Sequence, residues 1–392
     1  MPLRFLTSGE SHGRGFLVNV EGLPAGLGVS SHILMAELAR RRRGFGRGPR
    51  MKLEKDQLCI WGGLRDGFTT GSPLGLVLEN SEWDQWRKAL DPECVDPEAA
   101  AFRSVTCPRP GHADLSGAIK YDHRDIRNII ERASARLTAA WTLAGTVARL
   151  LLAELGVNIR GAVTSIGGVP VMAPLNEREW ERARISDLGC PRPGDESGLI
   201  EQINLAGDKG DTLGGTFLVS MKGLPPGIGS HVEWDRRLDG RFAAGLMSIP
   251  GIKGVEVGEG FRLGEISGSM AHDEIVLRRG HPVRLSNRAG GLEGGMTNGE
   301  DVLLHAVMKP IPTLRKPLKS VDIANGVETA ANCERGDVCA VPAACVVGEA
   351  MTAWVAACAV SAQFGGDILS ELKQRFADYG ERAEDFVPHG PE

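Results

Sequence analysis

Two histidines, a block of arginines and one aspartate sit in glycine-rich surroundings, where a side chain can reach a ligand. The first histidine is His12, in Gly9-Glu10-Ser11-His12-Gly13. This string fits G-x-S-x-G letter for letter. A nucleophile elbow, however, needs a strand before it, a helix after it and an oxyanion loop from an earlier strand. Few residues precede Gly9 and the run after Gly13 is β-like, so a serine hydrolase built on Ser11 is not expected. His12 remains a candidate for an exposed proton donor, or a plain turn histidine. The second histidine, His112, stands in Arg109-Pro110-Gly111-His112-Ala113-Asp114, where a Pro-Gly turn presents it.

The arginines form the run Arg40-Arg41-Arg42-Arg43-Gly44-Phe45-Gly46-Arg47. On a helix end, successive residues turn by about 100°, so the four cannot share a face. Three readings stay open. One is a solvated basic run. Another is a nucleic-acid patch, with Phe45 as its one interleaved aromatic. The third is a clamp for phosphate or carboxylate groups, which suits the planar guanidinium fork. Further on, Arg132 and Arg136 are i,i+4 neighbours about Ser134 and are expected on one helix face, with an anion between them or with separate partners. The loop from Asn287 to Gly299 can turn successive backbone N–H groups toward an anion. It is neither a Walker A loop nor a dinucleotide fingerprint. Finally, Glu334-Arg335-Gly336-Asp337 precedes an apolar helix. Asp337 lies a little early to be its cap.

These residues need elements to hold them. Strand-like runs are 16–22, 57–62, 74–80, 157–166, 214–222 and 252–257. The apolar period predicts a long helix over 124–155 and a second over 342–362. Segment 168–213 reads as a helix-loop excursion. A repeat links the halves: FLVNVEGLPAGLG at 16–28 and FLVSMKGLPPGIG at 217–229 share 8 of 13 positions, each followed by a helical stretch, 30–43 and 234–247. It is either a coincidence of two strand-plus-turn segments or the mark of two similar halves with the ligand site between them. The class is α+β, with helices covering sheet faces. Residues 1–377 read as one catalytic domain and 378–392 as a polar tail that frays.

Composition narrows the function. A net charge of −5 over 392 residues argues against a surface built for nucleic acid or anionic lipid. The eight cysteines form no CxxC pair and read as reduced thiols, several of them buried; no metal set is expected. No stretch is expected to span a bilayer, and the N-terminus lacks an apolar signal core. The 52 glycines suggest many tight turns and backbone approaching a ligand closely.

Taken in order, the blocks GESHGRGFLVNVEGLP, RRRRGFGRGPRMKLEKD, RPGHADLSGAIKYDHRD, RASARLTAA, MSIPGIKGVEVGEGF, NRAGGLEGGMTNGE, MKPIPTLRKPL and RGDVCAVPAACVVGEAM resemble those of the chorismate synthase family. The resemblance implies a β–α–β sandwich, usually a homotetramer, in the cytoplasm. It implies an anti-1,4-elimination of phosphate and a C6 hydrogen from 5-enolpyruvylshikimate 3-phosphate, the last step of the shikimate pathway. Reduced FMN is required without net redox change. No nicotinamide-binding domain is apparent, so an external reductant is expected to supply the reduced flavin, and neither nucleic acid nor membrane is expected as a partner.

By position, the resemblance gives His12 the role of protonating the reduced flavin, His112 that of assisting phosphate departure and Asp337 that of helping deprotonation at flavin N5. Arg41, Arg47 and Arg136 would hold the substrate. Arg132, Ala133, Ser134, Pro250, Gly251, Gly294, Lys309, Pro310, Ile311, Pro312, Thr313 and Arg335 would contact flavin. Two positions depart from the pattern. Gly336 replaces a residue with a side chain and is expected to loosen the backbone beside Asp337. Pro312 replaces a common Ser and cannot donate a hydrogen bond.

Overall fold

A computed structural model describes residues 2–48, 57–278, 280–334 and 336–387. Two antiparallel sheets enclose a layer of helices. The first sheet contains β1 (Arg4–Gly9), β2 (Gly15–Glu21), β3 (Gln57–Gly62) and β4 (Leu74–Glu79), in the order β1-β2-β4-β3. In β2, Phe16, Val18 and Val20 are buried while Leu17 and Asn19 are exposed, the period-two pattern of a strand with one covered face. The second sheet contains β5 (Asn158–Ile166), β6 (Val169–Pro170), β7 (Gly215–Lys222), β8 (Ile252–Val257) and β9 (Val302–Met308), in the order β8-β9-β7-β5-β6.

Among the described residues, the helices of seven residues or more are α1 (Ser31–Arg42), α2 (Trp83–Leu90), α3 (Pro97–Arg103), α4 (Asp114–Tyr121), α5 (Arg127–Ala133), α6 (Thr138–Ala153), α7 (Glu177–Ile185), α8 (Glu196–Asp208), α9 (Leu238–Met247), α10 (Val341–Phe364) and α11 (Leu369–Glu384). The central layer is built on α10, which packs along α6 and against β5 and β7, while α6 reaches β2. Small residues permit this closeness. A Cβ added at Gly145 of α6 would lie 2.3 Å from the Ala350 carbonyl oxygen of α10. One apolar core runs through sheets and helices together.

The sequence repeat is a structural one. In the first copy the Thr69 hydroxyl donates to the Pro24 carbonyl and accepts the Leu27 N–H at 2.8 Å. In the second, the Thr297 hydroxyl donates to the Pro225 carbonyl at 2.7 Å and accepts the Ile228 N–H at 2.8 Å. The two Gly-Leu-Pro turns are therefore clamped by the same chemistry, one beside each sheet.

Several expectations are corrected. The helix over 124–155 is broken: Ser134 takes an extended conformation (φ −63°, ψ 137°), a 3-10 turn spans Ala135–Leu137, and α6 begins only at Thr138. The helix expected over 234–247 starts at Leu238, after a 3-10 turn at Trp234–Arg236. Strands β1 and β9 were not foreseen. The polar stretch from 378 continues α11 as far as Glu384. By length and composition α10 could cross a membrane, against the expectation that no stretch could; 94% of its most apolar window is buried inside the fold.

The arginine run meets four environments. Arg40 joins a buried ionic network, its guanidinium 2.7 Å from Glu37 and 2.8 Å from Glu349, with Arg149 and Arg184 each 2.5 Å from Glu37. Arg43 donates to the carbonyls of Arg184 and Ile185 at the surface. Arg41 turns toward the site described below, and Arg42 is half-buried. Burial acts to raise the Glu37 pKa, but the charges of Arg149, Arg40 and Arg184 overcome it and bring it down to about 2. A carboxylate depressed in the folded state stabilises the fold fully above its unfolded pKa, and that contribution is lost as pH falls toward the folded value. Glu37→Gln should therefore cost on the order of 3–5 kcal/mol at neutral pH, as for one partner removed from a buried pair. The difference from the parent should shrink as pH falls below about 4.5 toward 2. Denaturant unfolding at a series of pH values reads this directly, and a pH-independent difference would contradict it.

Candidate active site

Segments from both halves of the repeat meet around one cavity of about 420 Å³, within the roughly 300–1,000 Å³ of small-molecule sites. Arg41, Arg47, Arg109, Arg136, Lys309, His12 and His112 line it; Glu334 and Asp337 are its carboxylates among the described residues. The N-terminal turns of α10, through Ala340, Ala343, Ala344 and Val347, form an apolar wall. The positive end of that helix dipole adds to the cationic field. The cavity is thus suited to a polyanion.

His12 lies in the β1–β2 connection. Asn80 holds this loop, donating to the carbonyls of Ser11 at 3.2 Å and Gly13 at 2.9 Å. The side chain is buried, contrary to the expected exposure: 7% of His12 is accessible. Its Nδ1 is 2.8 Å from Glu131 Oε1, and its backbone N–H donates to Glu131 Oε2 at 2.7 Å. Burial acts to raise the Glu131 pKa; the hydrogen bond and charge of His12, with Arg127, lower it on balance. An ionised Glu131 accepts from Nδ1, which leaves Nε2 as the ring nitrogen able to serve the cavity. With β2 following, this loop is a hairpin and not a strand-to-helix elbow.

His112 forms a second carboxylate–histidine dyad. Its Nδ1 lies 2.5 Å from Oδ1 of Asp114, which is fully buried. Arg109 binds the same carboxylate through Nε at 2.8 Å and Nη2 at 3.1 Å, and its Nη1 donates to the Thr313 hydroxyl at 3.1 Å. Burial acts to raise the Asp114 pKa, yet the hydrogen bonds and charges of His112 and Arg109 hold it well below the carboxylate range. The short contact makes Nδ1 the donor to Asp114, and Nε2 is again the nitrogen left for the cavity.

The arginines are fixed individually. Arg41 donates from Nε to the Thr138 hydroxyl at 2.8 Å and from Nη2 to the Ala135 carbonyl at 3.0 Å. Arg136 donates to the Ser11 carbonyl at 3.0 Å. Arg47 pairs with Asp337 Oδ2 at 2.8 Å, while Asp337 Oδ1 accepts the Gly48 N–H at 2.6 Å. Asp337 is thus no helix cap. Because the helix breaks at Ser134, Arg132 and Arg136 do not share a face. Arg132 is exposed and donates to the carbonyls of Thr7 and Gly9.

Of the expected site residues, the cavity lining includes His12, His112, Asp337, Arg41, Arg47, Arg136, Ala133, Ser134, Pro250, Gly251, Lys309, Pro310, Ile311, Pro312 and Thr313. Arg132 and Gly294 are not on it, and Arg335 lies outside the described residues. The glycine loop folds into a hairpin, and several of its N–H groups bond within the protein, Gly291 N to Asn287 Oδ1 at 2.7 Å and Gly290 N to the Asn287 carbonyl at 3.2 Å for example. Gly336 is packed tightly: an added Cβ would sit 3.2 Å from the Thr313 carbonyl oxygen. Sequence reading gave no role to Glu131, Asp114, Arg109 or Trp86. Only Asp114 left a local signal, an acid two residues after a histidine in a turn.

Comparison with known proteins agrees along nearly the whole chain. The family model described as chorismate synthase matches residues 3–360. A chorismate synthase of Moorella thermoacetica is 52% identical over 384 residues, covering 96% of this chain and 98% of the relative. One of Aquifex aeolicus is 47% identical over 397 residues, covering 98% and 99%. A crystal structure of chorismate synthase superposes with a TM-score of 0.80 at 40% identity, covering 98% of this chain and 99% of the other. With the sandwich and the cationic cavity in place, these matches put the chain in the chorismate synthase family.

Proposed function

We propose that the cavity binds 5-enolpyruvylshikimate 3-phosphate beside reduced FMN, and that its two carboxylate–histidine dyads handle the protons of the elimination. The reaction itself is that of the family, a carbon–oxygen lyase acting on phosphate at the last step of the shikimate pathway. The C3–O bond breaks, phosphate departs, C6 loses a proton, and the electrons of that C–H bond enter the new diene of chorismate. One observation carries this reading: four arginines, a lysine and two histidines face two carboxylates around a single cavity. Charge-assisted contacts to phosphate and carboxylate oxygens are strongest in such a water-poor place.

Arg41, Arg47 and Arg136 are assigned to the substrate's anionic groups. His112 donates from Nε2 to the leaving phosphate, with Asp114 holding the imidazolium. Asp337 accepts a proton during the loss from C6. His12, backed by Glu131, holds a proton on the cofactor side. The donor set fits a flavin. Pro250, Pro310, Ile311 and Pro312 offer flat apolar edges, and Ser134, Lys309 and Thr313 offer polar contacts. The Lys309 N–H donates to the Gly251 carbonyl at 2.9 Å and joins the two proline-bearing segments. When bound, reduced FMN supplies electron density to the substrate and recovers it.

The reading includes a cytoplasmic homotetramer fed by an external flavin reductant. In support of assembly, Leu6, Leu17 and Trp61 lie exposed on the first sheet, at 69%, 49% and 79%. The deciding assay is anaerobic: protein, chemically reduced FMN and substrate, with chorismate absorbance and released phosphate followed together. Equal, flavin-dependent appearance of both is expected. No product from folded, flavin-bound protein would refute the reading.

A further inference from the structure

We propose that Trp86 is a positioning residue for His12, holding the imidazole flat so that Nε2 stays directed at the cavity. This inference rests on the reading of His12 as a proton carrier. Trp86 is the buried residue of α2. Its ring stacks on His12 at 4.0 Å between centroids with 28° between planes. The Arg103 guanidinium of α3 lies 4.0 Å from the same indole centroid. Two planar groups this near one centroid cannot share a face, so the indole is held between them. Arg127 sits 5.3 Å away and donates from Nε to the Arg103 carbonyl at 3.0 Å.

The stack does what the hydrogen bond alone cannot. Glu131 restrains Nδ1 of His12, but the ring can still tilt about the line from Cβ to Nδ1, and that motion carries Nε2 sideways. A face-on indole blocks the tilt, and Arg103 keeps the indole from yielding. Proton transfer is sensitive to such alignment: displacements of about 1 Å can cost on the order of 10²-fold. The hairpin of α2 and α3 is thus tied to the chemistry although Trp86 does not line the cavity. Cation–π attraction from Arg103 on one face and ring stacking with His12 on the other stabilise the arrangement.

The test compares Trp86→Leu, Trp86→Phe, His12→Ala and the double variant Trp86→Leu/His12→Ala in the full-length enzyme. Trp86→Leu should lower kcat on the order of tenfold with an unchanged substrate KM, and Trp86→Phe should retain most of the activity. In the His12→Ala background, Trp86→Leu should have no further effect. An additive loss there would make Trp86 merely structural and overturn the proposal, as would a wild-type kcat in Trp86→Leu. A second readout needs no turnover. An imidazole stacked on an indole quenches its fluorescence, so His12→Ala should raise tryptophan emission in the parent but not in Trp86→Phe. Equal changes in both would mean that no stack exists in solution. Full activity of His12→Ala would instead remove the proton-carrier reading, whatever the fluorescence shows.

Discussion

His112→Ala should lower kcat by about 10²–10⁴-fold, the usual contribution of a positioned general acid, while reduced FMN still binds. Phosphate is a poor leaving group unless its bridging oxygen is protonated or its charge is neutralised, and the structure equips His112 for that. Its Nδ1 is committed to Asp114 at 2.5 Å, and Asp114 is held in turn by Arg109 through two guanidinium nitrogens. The Arg109 backbone N–H adds a further contact at 3.0 Å. A carboxylate so firmly held keeps Nδ1 engaged, which leaves Nε2 as the ring nitrogen to face the leaving group. Asp114→Asn tests the second member of the dyad. It should lower kcat on the order of 10–10²-fold, as orienting partners do, with KM little changed. Single-turnover kinetics with FMN affinity measured in parallel separates the outcomes. Near-normal turnover of His112→Ala would remove it from the mechanism, and loss of FMN binding would make its role one of packing.

The sequence made some of this legible and hid the rest for physical reasons. Strands 57–62 and 252–257 were read at their observed bounds: the first is an apolar run that ends at Gly62-Gly63, and the second, with Ile252, Val255 and Val257, is framed by Gly251 and Gly258. The GLP repeat was visible because its turn chemistry needs the same residues twice. The break at Ser134 was not visible. Its hydroxyl accepts from Ser11 at 3.1 Å and from the Arg136 N–H at 3.3 Å, and the first partner lies 123 positions away. Nothing in the local period reports such a contact, so one continuous helix was expected and Arg132 was assigned to the same face as Arg136. Glu131 and Trp86 were missed in the same way: an acid and an indole on amphipathic helices look like solvated and core residues until the fold brings His12 to them. The arginine run was ambiguous for the converse reason. Its composition allows a nucleic-acid patch, and only Glu37, Glu349, Thr138 and Asp337, all remote or structurally silent in sequence, show that Arg40, Arg41 and Arg47 turn inward while Arg43 stays at the surface.

The second large effect is expected at Asp337. Asp337→Ala should reduce kcat by about 10²–10⁴-fold, and it should do so with a lowered KM. The reason is its partner. Asp337 Oδ2 holds Arg47 at 2.8 Å, so part of that guanidinium's charge is spent on the protein. Removing the carboxylate leaves more of the Arg47 charge for the substrate, which tightens the ground state while the proposed proton acceptor is lost. Arg47→Ala should behave in the opposite sense. Loss of a charge-assisted contact should raise KM on the order of 10–10²-fold, with a smaller change in kcat. Asp337→Asn separates position from chemistry, because its amide oxygen can still accept the Gly48 N–H that now bonds at 2.6 Å, yet it is a far weaker base. Gly336 packs closely against Thr313 beside it: a Cβ added there would lie 3.2 Å from the Thr313 carbonyl oxygen, so a side chain would fit only after a shift of a few tenths of an ångström. If Asp337→Asn turned over like the parent, the carboxylate would only tie the Arg47 loop to the start of α10. If it matched Asp337→Ala in kcat but kept the parent KM, proton acceptance would be the function of Asp337 and its hold on Arg47 a separate one.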